Sequence, residues 1–375
     1  MQDEITQAVL AREEVARYLR GGGGQTELQA RERINAYLDE LRTTQRYPFY
    51  RALKHPLYPI LRKIDQHVEG LDIVRASGAA GRVIYISNHK SHLDYLVEPV
   101  ALDDNGIRPP IIAAGINLFG GPLGVLHRHV TGAIPIRRDA KDPAYLVTLK
   151  AYIAELLHRH DLLFYLEGGR SYSGEIKSPK TGLLHAALQA GREDIVIIPT
   201  AVAYDMVLED RILARQGAKR RQRPFSREMA EMVGAAVGFE SRSFVTFGAP
   251  IPLRGWDPES RKDVMTLAHT TREAIGKLYK VLPSAIVAQA VRPSLPLAEL
   301  PAHVASVLGP LKEAGANLDI DDPEAIAEQG TKVLVARDVL VLERHVIRVR
   351  DRQVLRYYAR MIQHLVNSQK RTRTT

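Results

Sequence analysis

Cysteine is absent from all 375 residues. That excludes a disulfide framework, a thiolate metal site and a cysteine nucleophile, and it fits a reducing compartment. Long hydrophobic runs are missing too. Crossing a bilayer takes roughly 18 consecutive apolar residues, whereas the longest candidate, Ile195 to Tyr204, has ten and is interrupted by Pro199. The opening stretch, MQDEITQAVLAREEVARYLR, is charged throughout and lacks the apolar core of a signal peptide. The expectation is a protein that does not span a membrane. Gly-x-Ser-x-Gly does not occur either, which excludes a serine nucleophile elbow of that pattern. What remains is 45% apolar and 25% charged, a globular composition that is neither disordered nor fibrous. At roughly 150 residues per domain, the length argues for two or three.

The formal charge of +9 is unevenly placed. Arg344 to Thr375 carries nine basic residues against Asp351, and Arg211 to Arg227 carries seven with no acid. The remainder is therefore slightly acidic. Clustered Lys and Arg suit anionic lipid, nucleic acid or plain solvent.

Residues 1–65 read as a helical region. Leu28, Ile34, Leu38 and Leu41 fall at helical spacing behind a cap at Thr26, and Gly21 to Gly24 separates two helices. From 66 to 280 the pattern becomes α/β. Short apolar runs at Val83–Ile86, Ala133–Ile136, Leu162–Leu166, Ile195–Ala203 and Phe244–Phe247 alternate with helical stretches such as Ala144–His158 and Leu183–Ala190. This predicts a mostly parallel sheet flanked by helices. From 281 to 375 helical periodicity returns, with a stripe at Val354, Leu355, Tyr358, Ile362 and Leu365 behind a cap at Asp351. Val339 to Arg350 reads as a small hairpin or as helix. Helices followed by a hairpin suit a winged-helix-like module, which raises a nucleic-acid reading.

The strongest chemical signal is Ile84-Tyr85-Ile86-Ser87-Asn88-His89-Lys90-Ser91-His92-Leu93-Asp94. On a continuous helix His89 and Asp94 would stand about 140° apart. They meet only if His89 lies on the turn after a strand and Asp94 in the first helical turn. So placed, Asp94 orients the imidazole of a general base. A metal reading of His89, His92 and Asp94 lacks an HExxH or similar partner set. The structural alternative makes Asp94 a helix cap and the histidines surface residues. Further along, Arg137 and Arg138 follow one apolar run, and Glu167-Gly168-Gly169-Arg170 follows another. Ligands collect at the carboxyl ends of parallel strands, and arginines there with glycine N–H groups make an anion site.

In order, His-x4-Asp at His89 and Asp94, Gly-x4-Arg-Arg at Gly132 to Arg138, Glu-Gly-Gly-Arg at Glu167 to Arg170 and the proline block at Pro199 resemble the four blocks of the glycerolipid acyltransferases. His-Lys-Ser-His-Leu-Asp-Tyr, Pro109 to Leu118, Pro179 to Gly182, Phe247 to Leu253 and Arg356 to Leu365 are similar to the bacterial membrane-associated glycerol-3-phosphate 1-O-acyltransferase branch. The resemblance runs from about Ile64 to Val366. It implies acyl transfer from acyl-CoA or acyl-acyl carrier protein, as co-substrate, to the sn-1 hydroxyl of glycerol 3-phosphate, with no cofactor or metal. Dihydroxyacetone phosphate and lysophosphatidic acid are the alternative acceptors. His89 would be the base and Asp94 its orienter. Arg138 and Arg170, supported by Lys180, would hold the phosphate, and Glu167, Gly168 and Gly169 would shape the acceptor site. Three departures stand out: the chain is far shorter than the long members, Ile134-Pro135 replaces an aromatic, and Tyr172 replaces a second arginine. That last change leaves Lys180 or Arg137 to compensate. A long-chain product without a spanning helix implies a peripheral enzyme at an anionic membrane, on the cytoplasmic face of the inner membrane, with no nucleic-acid partner. Lys219, Arg220, Arg221 and Arg223 are the expected membrane contacts.

Overall fold

Alternating strands and helices do build one layered core. The computed structural model describes residues 2–21, 25–52, 64–138, 140–216 and 241–366. Eight strands form the main sheet: β1 (Ile64–Glu69), β2 (Arg82–Ser87), β3 (Ile111–Gly115), β4 (Ala133–Ile136), β5 (Leu162–Tyr165), β6 (Ile195–Tyr204), β7 (Ser241–Phe247) and β8 (Ile251–Pro252). Their order is β1-β7-β6-β2-β5-β3-β4, with β8 also on β6. Every pairing is parallel except β6 with β7 and β6 with β8. Both faces of the central strands are covered, which is why β2 and β6 read as continuous apolar runs.

Pro199 sits inside β6, where a missing N–H should break the ladder. It is tolerated because β8 pairs with Val196 and Ile197 while β7 takes over from Thr200. Its carbonyl accepts from Gly248 N at 2.8 Å, in the gap between those two partners. Two strands escape the apolar-run reading. β1 alternates half-buried and exposed residues, and β3 ends in small residues.

The amino-terminal helices α1 (Gln2–Ala11), α2 (Glu13–Gly21) and α3 (Glu27–Leu41) share the core of the sheet domain. Thr26 caps α3 through a capping box with Gln29. The buried face of α3 is Ala30, Ile34, Leu38 and Leu41; Leu28, expected on it, is 67% exposed because it lies off that stripe. After β1 comes α4 (Leu71–Ala80), and after β2 comes α5 (Asp94–Asp104). Then follow α6 (Gly121–His129), α7 (Pro143–Leu157), α8 (Gly182–Leu188), α9 (Asp210–Gln216) and α10 (Arg261–Leu278).

Beyond α10 the order is α11 (Pro283–Ala290), β9 (Ser294–Pro296), α12 (Leu300–Glu313), α13 (Pro323–Ala336), β10 (Leu340–Glu343), β11 (Val346–Val349) and α14 (Arg352–Arg360). The 339–350 segment is a hairpin, not a helix. Its turn residues Arg344 and His345 both have positive φ, as a two-residue hairpin turn requires. β9 completes a three-stranded antiparallel sheet. Asp351 caps α14, accepting from Gln353 N and Val354 N.

Candidate active site

β2 delivers the chain to the carboxyl edge of the sheet at Ser87. The next residue, Asn88, anchors the turn to β6. Its amide donates to Val202 O at 2.9 Å and accepts from Val202 N at 2.8 Å. His89 follows, its backbone held by Glu167 Oε1 and by Ser171 N. Asp94 opens α5, fully buried, with its Oδ2 2.8 Å from His89 Nδ1. The same oxygen accepts from Lys90 N and Ser91 N, and Oδ1 accepts from the Tyr204 hydroxyl at 2.8 Å. Asp94 does not cap the helix it opens: its carboxylate turns back onto the preceding turn, where it holds two backbone N–H groups and the imidazole. With Nδ1–H donating to Asp94, the neutral ring keeps its Nε2 lone pair available. Burial pushes the His89 pKa down to about 4, against the pull of Asp94. The ring lies flat on Tyr165, centroids 4.0 Å apart.

The backbone N–H of His92 and the Ser91 hydroxyl both donate to the Glu209 carboxylate, at 2.7 and 2.8 Å. Glu209 also lies 3.5 Å from Arg170, which is 8% exposed. Among the described residues no group of three His, Asp or Glu side chains converges to hold a metal.

The Glu-Gly-Gly-Arg turn follows β5. Glu167 bridges the loop, accepting from His89 N and Lys177 N, and burial raises its pKa. It is a backbone clamp rather than an open acceptor. Gly168 has φ +66°, and a Cβ there would come within 3.1 Å of Lys180 Cγ. A Cβ on Gly169 would lie 3.6 Å from Arg138 Nη1. Lys177 donates to Arg170 O at 2.9 Å, and burial together with Arg138, Lys180 and Arg170 lowers its pKa. Arg138, Arg170 and Lys180 therefore all stand near Lys177, and Arg138 and Lys180 are exposed. Arg137 does not join them. It turns to Glu40 and lies over the rings of Tyr37 and Tyr145, because it leaves β4 one residue earlier than Arg138 and faces the helical layer. Lys177, by contrast, lies among these cations. Sequence inspection did not single out Lys177, Tyr204, Glu209 or Tyr165; the last three meet the site through contacts distant in the chain.

One residue past Asp94, a narrow apolar cleft of about 30 Å³ opens between α5 and β3. Tyr95, Leu96, Pro99, Ile112, Ala114 and Phe119 line it. The expected membrane residues Lys219, Arg220, Arg221 and Arg223 lie outside the described residues. Among the described residues no helix is long and apolar enough to cross a membrane. The C-terminal order of helix, strand, two helices and hairpin matches a winged-helix arrangement. The exposed side of α13 and its approach is acidic, however, with Asp321, Asp322, Glu324 and Glu328 against Lys332, so it repels a phosphate backbone.

Residues 65–203 match the family model described as Acyltransferase. The glycerol-3-phosphate acyltransferase of Actinobacillus succinogenes is 34% identical over 241 residues, covering 62% of this chain and 30% of that protein. That of Pasteurella multocida is 32% identical over 240 residues, with the same coverage. That of Pseudomonas syringae pv. syringae is 34% identical over 242 residues, covering 61% and 28%. The match spans less than a third of the length of these relatives. A solved 1-acyl-sn-glycerophosphate acyltransferase from Thermotoga maritima aligns over 74% of this chain and 87% of its own, at 14% identity and a TM-score of 0.34.

Proposed function

We propose that this chain, whose residues 65–203 match the acyltransferase family model, transfers a fatty acyl group from a thioester to the sn-1 hydroxyl of glycerol 3-phosphate. The product is 1-acyl-sn-glycerol 3-phosphate. The observation that carries this reading is the buried His89–Asp94 pair beside a four-cation cluster. The names of the three relatives supply the acceptor.

Arg138, Lys177, Lys180 and Arg170 would hold the phosphate, bringing the hydroxyl to His89 Nε2. The base takes the hydroxyl proton as the oxygen bonds to the thioester carbon. The C–S bond then breaks, and the imidazolium returns its proton to the departing thiolate. Asp94 stabilises the imidazolium throughout and never accepts the proton itself. A pKa of about 4 keeps the resting ring neutral, so Nε2 is free at physiological pH. The growing negative charge on the tetrahedral oxygen raises its proton affinity when it is needed.

The apolar walls beginning at Tyr95 mark where the acyl chain would lie, and a long chain would have to part them to enter. A peripheral position at an anionic surface, on the cytoplasmic face of the inner membrane, suits such a donor. Around the cleft Phe49 and Val125 are 61% and 63% exposed, with Arg46 and Arg51 beside Phe49 and Arg128 on the helix of Val125. This rim supplies a membrane contact in addition to Lys219, Arg220, Arg221 and Arg223. The test is an assay of purified protein with acyl-CoA and acyl-acyl carrier protein against glycerol 3-phosphate, dihydroxyacetone phosphate and lysophosphatidic acid. Glycerol 3-phosphate should be the preferred acceptor with either donor; preference for another acceptor overturns the assignment.

A further inference from the structure

A second acid lies one helical turn beyond Asp94. Glu98 and Asp94 occupy the same face of α5, and both are fully buried. Glu98 Oε2 accepts from the Tyr165 hydroxyl at 3.0 Å, while Oε1 has no hydrogen-bond partner. Tyr165 in turn presents its ring face to His89, with an interplanar angle of 10°. Three side chains from three elements thus form a column: Glu98 from α5, Tyr165 from the end of β5 and His89 from the turn after β2.

We propose that Glu98 is a positioning residue for the dyad, an uncharged acid that tethers Tyr165 so that its ring holds the His89 imidazole in one plane. Its neutrality follows from its surroundings. The groups facing the carboxyl are Asp94 on its own helix, Ser87 on β2, Tyr165 on β5 and Tyr204 on β6, and none is a cation. A second buried carboxylate beside Asp94 would be without compensation, so the proton stays on. Burial first, and the Asp94 charge second, raise its pKa well above the usual range.

Neutrality has a purpose at the neighbouring ring. The charged and titratable groups facing His89 are Asp94, Arg170, His92 and Tyr165. A second anion there would favour the imidazolium at rest and put a proton on the Nε2 that must accept one. A neutral acid steers the ring plane without altering that balance.

The kinetic half of the test rests on the acyltransferase reading; the spectroscopic half does not. In the full-length protein, Glu98→Gln keeps a neutral partner for Tyr165, and Glu98→Leu removes it. Glu98→Gln should retain kcat within about twofold, whereas loss of orientation in Glu98→Leu should lower kcat about tenfold with both KM values nearly unchanged. The His89 imidazole titration, followed by NMR on histidine-labelled protein and assigned with His89→Ala, should be the same in Glu98→Gln and wild type. A fall of about half a pH unit or more in Glu98→Gln would show a charged Glu98 and overturn the proposal. So would wild-type kcat in folded Glu98→Leu. If wild type acylates none of the acceptors, the acyltransferase reading fails, and the titration still decides the state of Glu98.

Discussion

At the scale of single residues, Asp94 is the most heavily engaged side chain in the site, with four donors on two oxygens. His89→Ala should lower kcat by about 10²-fold or more, the usual worth of a general base. Asp94→Asn should be nearly as damaging, since an amide cannot stabilise an imidazolium. Circular dichroism alongside the assay separates these losses from unfolding, and His89→Ala with over a tenth of wild-type turnover would exclude it as the base. Tyr204→Phe removes one of the four donors and should cost kcat about tenfold or less, a typical net hydrogen-bond contribution of about 1 kcal/mol. In the cation cluster, Arg138→Ala or Lys177→Ala should raise the glycerol 3-phosphate KM about tenfold through loss of a charge-assisted bond, with the donor KM unmoved. Equal effects on both substrates would make the cluster structural. Tyr172→Arg tests the same point in the opposite direction: added charge beside Arg170 should lower the acceptor KM.

At the scale of elements, the loop after Arg170 is pinned beneath the C-terminal helix. Gly174 has φ +88°, and a Cβ there would meet Tyr357 O at 2.1 Å. Its own carbonyl accepts from the buried Lys90 Nζ at 2.5 Å. α14 therefore packs directly against the floor of the site. A second tie is Asp210, which takes Arg337 on both oxygens and the Tyr358 hydroxyl, all buried. Asp210→Ala strips a buried guanidinium of its counter-charge, and about 3–5 kcal/mol of stability should go with it. Urea unfolding would measure this; an unchanged midpoint would mean that the C-terminal region is held by apolar packing alone.

At the scale of the whole molecule, the buried histidines couple folding to pH. Burial lowers His89 and His364 to about 4 from an ordinary 6.5. As pH falls through about 6.5 the unfolded chain takes up these protons while the folded one resists until near 4. The unfolded state binds more protons in that window, so stability declines with falling pH, by on the order of 3 kcal/mol per group across the whole window. His364→Leu, a change outside the dyad, should flatten the fall in Tm between pH 7.5 and pH 5. An identical slope in wild type and variant would assign the acid sensitivity to other groups.

The His-x4-Asp spacing and the apolar strand before it already point to a histidine held by a carboxylate, the contact that the structure contains. No regular helix brings His89 and Asp94 together, and a strand-to-helix turn does. Likewise the continuous apolar runs of β2 and β6 announce a sheet buried on both faces, and Thr26 and Asp351 mark helix starts through their own side chains. These features are local, or periodic over a few residues, so one chain suffices to show them. Tertiary structure alone decides the partners that arrive from far along the sequence. Tyr204 reaches Asp94 across 110 positions, Glu209 reaches His92 across 117, and Arg137 is drawn off to Glu40 across 97. Lys177 enters the cation cluster only because Glu167 bends the loop back on itself. β1 is invisible as an apolar run because it is a half-exposed edge strand that depends on β7, a partner more than 170 residues away. Side-chain pattern records how each element buries its own face, whereas which distant group meets it there is set by sheet order.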